Sequence, residues 1–345
     1  TGYSYQFQNF GKTSNRGIEL SVNVDVINKG DFRFNVGAIY NYNRNKLDEL
    51  PNADQYLYSS YWGSSSLVPT NDYMFVEGKA IGLVRGFISE GYYTVDDFNY
   101  TNGQYVLKEG VPDITKALTA TYMHPYDLPA GQTAFPGAAK FRDVDESGTV
   151  DLDDATCLGE VMPRHTGSFQ LNFNYKNFDL STNFNWTAGG KVYNVAAMIN
   201  ASGQEFDGIG AQRASWVADA FKVYNVNAAG DLYAVTNPDE LRALNANAKY
   251  HLPYHQSGIT SSEWLENGSY LRLQTLTLGY TLPKNWLTKV HVDKIRLYLT
   301  ATNLFTITGY SGIDPEVNAN PTGQSGFYSD LRIFPTLNMY FGTYP

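Results

Sequence analysis

Apolar and polar residues alternate strictly along several stretches of the chain. From Ile18 to Val26 every second residue is aliphatic, and Glu, Ser, Asn and Asp fill the positions between. A period of two places successive side chains on opposite faces, which predicts a β-strand. Residues 28–31 (NKGD) predict a tight turn, after which the alternation resumes from Phe32 to Tyr42. The pattern therefore predicts a long β-hairpin.

The same alternation returns further along the chain. It predicts strands at Ser168–Tyr175, Phe178–Trp186, Tyr270–Thr281, Lys294–Thr302 and Ile333–Phe341, with Gly82–Val95 as a weaker candidate. The stretches between them show no alternation, and we predict long irregular loops at residues 45–81, 96–164, 189–265 and 306–329. Short and long connections thus alternate, which is typical of bacterial outer-membrane barrels with tight periplasmic turns and large extracellular loops.

Strand length and strand ends favour a membrane barrel over a soluble β-sandwich, although both alternate along their strands. Strands of ten or more residues are long for a globular sheet but suit a tilted path across a bilayer. The polar face is mainly Asn, Ser, Gln and Thr, which suits a hydrated interior. Aromatic residues gather at strand ends, where the membrane interfaces would lie: Tyr40, Tyr42, Tyr175, Phe178, Trp186, Tyr280 and Trp286. We therefore predict an all-β fold, a transmembrane antiparallel β-barrel with long extracellular loops.

Composition supports this class and excludes several others. The chain carries 27 Tyr, 19 Phe and 5 Trp with only 17% charged residues, which favours strands and polar loops. A net charge of −9 without a basic stripe argues against a nucleic-acid partner. Cys157 is the only cysteine, so neither an intrachain disulfide nor a thiolate metal cluster is possible. No nucleophile motif is present and no pair of acidic residues stands out, so we predict no enzymatic activity.

Residues 143–154 (DVDESGTVDLDD) match the pattern of an EF-hand calcium loop. Such a loop supplies oxygen ligands from positions 1, 3, 5, 7, 9 and 12, with Gly at position 6 for a sharp turn. Those ligand positions fall on Asp143, Asp145, Ser147, Thr149 (through its carbonyl), Asp151 and Asp154. Position 12 is Asp rather than the usual Glu. We predict a structural Ca²⁺ site coupled to loop folding, with Mg²⁺ as the alternative ion and a solvated acidic loop as the alternative interpretation.

One predicted loop also contains candidates for contact with a substrate or a partner: Tyr56, Tyr58, Tyr61 and Trp62. Such rings stack on sugars or pack against another protein, but they also fill the small core of a loop. The same two interpretations apply to Tyr92, Tyr93, Phe98, Tyr100 and Tyr105. The sequence Asp314-Pro315-Glu316 predicts a structural turn.

Several motifs resemble SusC/RagA-type TonB-dependent outer-membrane transporters of the Bacteroidetes. They are residues 159–194, residues 270–286 (YLRLQTLTLGYTLPKNW) and especially residues 303–317 (NLFTITGYSGIDPEV), with the opening 15–50 in agreement. The resemblance implies that residues 1–345 form the C-terminal portion of a plugged barrel of about 22 strands. It also implies that the plug and the N-terminal extension precede this portion and are absent from the sequence.

The resemblance further implies a function and a set of partners. Transporters of this kind import glycan fragments or oligopeptides across the outer membrane, and we favour glycans because of the loop aromatics. They pair with a SusD/RagB-like lipoprotein lid, draw energy from TonB through the N-terminal part, and contact outer-membrane lipid and lipopolysaccharide. The expected location is the cell outer membrane, crossed many times. The alternative is a soluble secreted β-rich carbohydrate-binding protein with a calcium-stabilised loop.

Overall fold

The computed structural model describes residues 11–51, 55–59, 68–118, 124–194, 197–198, 214–253, 259–288, 292–316 and 337–342. Within these residues the strands are β1 Lys12–Lys29, β2 Phe32–Glu49, β3 Gln55–Tyr58, β4 Tyr73–Val76, β5 Leu83–Gly86, β6 Ser89–Tyr92, β7 Phe98–Thr101, β8 Gln104–Leu107, β9 Asp113–Ile114, β10 Ala139–Phe141, β11 Thr149–Val150, β12 Thr156–Glu160, β13 His165–Tyr175, β14 Phe178–Ala188, β15 Lys191–Tyr193, β16 Tyr224–Val226, β17 Leu232–Ala234, β18 Leu265–Asn267, β19 Tyr270–Thr281, β20 Arg296–Thr308 and β21 Leu337–Gly342.

Helices are few and short in this part of the chain. The α-helices are α1 Ala214–Asp219, α2 Pro238–Leu244 and α3 Lys284–Leu287, and single 3₁₀ turns lie at Val95–Asp97, Leu152–Asp154 and Ser262–Trp264. None of the described helices is long and apolar enough to span a membrane. The predicted all-β class is confirmed.

The seven longest alternating strands form one antiparallel sheet, here called the main sheet, in the order β1-β2-β13-β14-β19-β20-β21. The predicted hairpins are confirmed, with turns at Gly30-Asp31 and Lys176-Asn177. Strand β20 continues to Thr308, six residues beyond the predicted end, because a bulge near Asn303 breaks the alternation that continues after it. Residues 333–336 of the last predicted strand lie outside the described residues.

The connections of the main sheet fall into two classes, as predicted. Short turns at residues 30–31 and 176–177 lie at one end of the strands, here called the short-turn end, where the Lys176 N–H donates to the Asp31 carbonyl over 3.0 Å. The connection 282–295 begins at the same end, since the Thr281 N–H donates to the Asn177 carbonyl over 2.8 Å. The connections 50–164 and 189–269 leave from the opposite end of the strands, which we call the long-loop end.

The prediction of irregular loops is wrong for these long connections. Their described residues form strands β3–β12 and β15–β18 and pack together into one structure, here called the loop body. The four-stranded sheet β12-β5-β4-β3 and several two-stranded sheets surround an apolar core. Its fully buried members come from distant segments: Phe87, Tyr93, Tyr105, Ile114, Leu118, Phe135, Val150, Val235 and Leu241. The Gly82–Val95 candidate divides into β5 and β6, which join different sheets.

Candidate functional site

One face of the main sheet is apolar across all six of its strands whose side chains are described. Directly paired residues lie on the same face, so the cross-strand register assigns each side chain. The aliphatic side chains on this face are exposed, and the exposed fraction reaches 61% for Ile18 and 62% for Ile307. The rings of Phe34 and Phe173 stack at 4.3 Å, as those of Phe169 and Phe184 do at 4.5 Å. An apolar surface this large on a water-soluble protein would have to be covered by a partner.

Aromatic side chains bound this apolar face at both ends. The row at the short-turn end is formed by the paired residues Phe32, Tyr175, Phe178 and Tyr280. The row at the long-loop end is formed by Tyr40, Tyr42 and Trp186, and the ring of His165 lies beside both tyrosines. Phe32 and Tyr42 are ten residues apart, about 34 Å along the strand and about 26 Å across a membrane at a tilt of about 40°. The spacing matches the apolar band of an outer-membrane barrel.

A glycine makes room for the long-loop row. Gly167 lies between Tyr40 and Trp186 in the register. A Cβ atom at this position would lie 2.7 Å from the indole of Trp186 and 2.4 Å from the Ile39 carbonyl oxygen. The missing side chain therefore lets the indole cross the middle strand, so that its ring centroid lies 6.1 Å from that of Tyr40.

The opposite face of the main sheet carries a network of polar side chains. The Asn35 amide donates to Asn23 Oδ1 over 2.7 Å, and the Ser181 hydroxyl donates to Asn172 Oδ1 over 2.6 Å. Near the short-turn end, Arg296 Nη2 contacts Asp179 Oδ2 at 2.5 Å. Such a face suits the hydrated interior of a barrel.

A buried arginine dominates the long-loop end of the polar face. The side chain of Arg272 contacts both acidic residues of the predicted turn, with Nη2 at 2.6 Å from Asp314 Oδ1 and Nη1 bonded to Glu316. The Tyr270 hydroxyl also donates to Glu316, over 2.5 Å. The sequence predicted only a turn at 314–316. The missed signal is an arginine at position 272 in a strand whose polar face is otherwise made of Thr, Gln, Tyr and Gly.

The predicted calcium loop lies in the loop body, and three of its six predicted ligands converge. One carboxylate oxygen from each of Asp143, Asp145 and Asp154 lies within 4.8 Å of the other two. Asp154 is fully buried, and its carboxylate accepts the Val144 N–H over 2.6 Å. Asp151 caps the following 3₁₀ turn instead, accepting the Asp153 N–H over 2.8 Å.

The remaining predicted ligands lie on the turn itself. The Ser147 hydroxyl donates to the Thr149 carbonyl over 3.0 Å, so both oxygens are close together. Gly148 adopts a φ of +87°, as position 6 of such a loop requires. Hydrogen bonds from Ser147 lower the pKa of Asp145, which favours the ionised form that a cation needs. Thr149 and Val150 form β11, which pairs with β9 and ties the loop to the core.

The predicted contact residues divide between exposed and undescribed positions. Tyr56 and Tyr58 on β3 are 50% and 47% exposed, and the ring of Phe75 lies 6.3 Å from each. Tyr61 and Trp62 lie outside the described residues. Among the other aromatics, Tyr93, Phe98 and Tyr105 are buried in the core, while Tyr100 remains partly exposed. Filling the core is thus the role of three of these residues.

A buried titratable pair lies in the second long connection of the loop body. His251 Nε2 lies 3.7 Å from Glu263 Oε2, while His251 Nδ1 donates to the Leu252 carbonyl over 2.9 Å. Burial lowers the pKa of His251 to about 4 and raises the pKa of Glu263 to about 7. Between about pH 4 and pH 7 the pair therefore favours a neutral imidazole beside a protonated carboxyl.

Comparison with known proteins gives relatives by sequence and by structure. No protein-family model matches the chain. TonB-dependent receptor P3 of Formosa agariphila is 29% identical over 99% of this chain and 30% of its own length. TonB-dependent receptor SusC of Bacteroides thetaiotaomicron is 25% identical over 91% of this chain and 25% of its own length. The chain thus spans no more than about a third of these relatives.

Solved structures with the same fold lead to the same group. The structure of the RagAB peptide transporter superposes with a TM-score of 0.60 at 21% identity, covering 92% of this chain and 28% of that chain. Its RagAB "open-open" form gives a TM-score of 0.59 over the same share. In sequence and in fold, this chain is similar to SusC/RagA-type TonB-dependent transporters, as its motifs predict.

Proposed function

We propose that this chain forms part of the barrel of an outer-membrane transporter that imports nutrients with energy supplied through TonB. The observation that carries the proposal is the apolar face of the main sheet, bounded by two aromatic rows about 26 Å apart. The similarity to TonB-dependent receptors supports it. In this proposal the plug and the TonB-contacting extension belong to other parts of the full-length transporter. Because the relatives are receptors and transporters by name, we propose no catalytic step.

Membrane fractionation separates this function from a soluble secreted carbohydrate-binding protein. A barrel partitions with the outer membrane and needs detergent for extraction, because its apolar face has lipid as its solvent. The measurement is the distribution of the native full-length protein between soluble, high-salt and detergent extracts. Recovery without detergent would contradict the transporter and favour the soluble alternative.

We propose that the imported nutrient is a glycan fragment or an oligopeptide, held between the loop body and a SusD/RagB-like lipoprotein. Tyr56 and Tyr58 are the proposed contacts, because both present exposed rings on one short strand. Replacing both by Ala should reduce the lipoprotein that co-purifies or the uptake of one nutrient class. Replacing Tyr224 on β16, which is exposed to a similar degree and is not a contact candidate, provides the control. Uptake of labelled glycans against labelled peptides decides between the two classes.

We also propose that the loop 143–154 holds Ca²⁺ as a structural ion, with Mg²⁺ as the competitor. Asp143, Asp145 and Asp154 would supply the carboxylates and Ser147 and the Thr149 carbonyl further oxygens, with Asp151 reaching the ion through water. Calorimetry with CaCl₂ and with MgCl₂ tests this directly.

A matched pair of variants makes that test specific. Asp143→Asn should abolish Ca²⁺ binding, because Asp143 is in the converging cluster. Asp153→Asn removes the same charge from the adjacent 3₁₀ turn outside the cluster and should leave Ca²⁺ binding intact. Equal affinity in both variants would contradict the assignment.

A further inference from the structure

Two arginines face each other at the long-loop end of the first hairpin. Arg16 on β1 pairs directly with Arg44 on β2, so their side chains lie side by side on one face. Each is two residues beyond a member of the apolar face, Ile18 and Tyr42 respectively, with no bulge between. Both are therefore on the apolar face, just past the aromatic row. Both side chains are exposed.

This arrangement is unfavourable unless an anion neutralises it, because like charges directly opposite each other on paired strands repel. Within the described part of the chain, no carboxylate forms an ion pair with either arginine. The next cation, Lys46, does have one, since its Nζ lies 3.3 Å from Asp48 Oδ1. The hairpin thus compensates Lys46 but leaves two neighbouring guanidinium groups without an internal counter-charge.

The position of the pair indicates the source of the anion. A residue two positions beyond Tyr42 lies about 7 Å further along the strand, which brings it from the edge of the apolar band to the level of lipid headgroups. Two adjacent guanidinium forks match the geometry of a phosphate group, and Arg binds phosphate through paired charge-assisted hydrogen bonds. We propose that Arg16 and Arg44 bind a phosphate of an anionic lipid in the leaflet on the long-loop side. This inference rests on the proposed position of the sheet in the outer membrane.

The test uses the full-length protein purified in a neutral detergent. Native mass spectrometry counts bound lipid while micelles are titrated with diphosphorylated lipid A or with its dephosphorylated form. The wild-type protein should bind the phosphorylated lipid at least about tenfold more tightly than the dephosphorylated one, as expected from losing charge-assisted hydrogen bonds. Arg16→Gln with Arg44→Gln should lose that preference. Lys29→Gln with Arg33→Gln, two charges at the short-turn end of the same hairpin, should keep it.

Two further arms keep the outcome decisive. In neutral detergent at low salt, the Arg16→Gln/Arg44→Gln protein should be at least as heat-stable as wild type, because the repulsion between the two arginines is gone. A loss of lipid binding in this variant is then not caused by misfolding. Titration with inorganic phosphate tests for a free-anion site, and equal affinity for inorganic phosphate would overturn the lipid assignment. An unchanged lipid preference in the double variant would also overturn it. A protein that needs no detergent would instead contradict the proposed function.

Discussion

The main sheet and the loop body use the same kinds of side chain in opposite ways. On β1 the aliphatic side chains from Ile18 to Val26 are all about half exposed, whereas Phe87, Tyr93 and Leu118 of the loop body are completely buried. The loop body supplies its own apolar core. The sheet supplies only one side of an apolar layer, and lipid is the other side in the proposed barrel. The two regions should therefore respond differently to the same kind of substitution.

The largest expected effect is in the core of the loop body. Phe87 has no exposed surface, and its ring lies 5.6 Å from that of Phe141. Phe87→Ala should destabilise the loop body by about 4 kcal/mol, because it removes buried apolar contacts and leaves a cavity. Hydrogen exchange should show lost protection around β5 and β6 but unchanged protection in the main sheet. Leu232→Ala, at an exposed position, is the control. Equal loss of protection in both regions would mean that they unfold as one unit.

The next effect concerns the lipid side of the sheet. Val22 pairs with Ala38 near the middle of the apolar band, and its side chain is exposed on that face. Val22→Arg should cost about 3 kcal/mol in a bilayer, because a charge would enter hydrocarbon. Asn23→Arg places the same charge on the polar face, one residue away, and should cost far less. Urea unfolding of the protein refolded into lipid vesicles measures both. Similar costs would contradict the assignment of the two faces.

The contrast between the regions also explains what the sequence could predict. Strands β1 and β2 keep a period of two from Ile18 to Val26 and from Phe32 to Tyr42, so their existence, their turn and their two faces could be derived. The loop body has no such signal, because its strands are short and their partners distant. For example, β9 at 113–114 pairs in parallel with β11 at 149–150. Those contacts depend on three-dimensional packing that local periodicity does not encode.

The candidate site divides along the same line. The calcium loop is contiguous, so its ligand spacing was visible, although Asp151 turns to cap a 3₁₀ turn instead of joining the cluster. Arg272 and its two acidic partners are more than 40 residues apart in sequence. No pattern within one segment could join them.

Arg272 fixes the segment after β20 to the polar face, and its removal should have a smaller effect. Arg272→Ala should cost about 2 kcal/mol, because it leaves the carboxylates of Asp314 and Glu316 close together without a cation, and both are partly solvated. Hydrogen exchange should rise at residues 309–316 and remain low in β13 and β14. Adding Asp314→Asn and Glu316→Gln to Arg272→Ala is the control, because it removes the repelling charges. If this triple variant is no more stable than Arg272→Ala alone, the ion pairs are not what holds this segment.

The smallest expected effect is the pH dependence of the loop body, through Glu263. Burial raises the pKa of this carboxyl to about 7 from its ordinary 4.5. Between these values the unfolded chain releases the proton and the folded protein keeps it, so this contribution to stability is complete below about pH 4.5 and is lost by about pH 7. His251, whose pKa is lowered to about 4, acts in the opposite direction, since its contribution is lost as the pH falls from about 6.5 to 4.

Glu263→Gln removes only the effect of the Glu263 carboxyl. We therefore expect wild type to lose about 1 kcal/mol relative to Glu263→Gln between pH 5 and pH 6, measured by proteolysis of the loop body. Parallel pH profiles would mean that the pKa of Glu263 is the same in the folded and the unfolded protein, which would contradict the effect of burial.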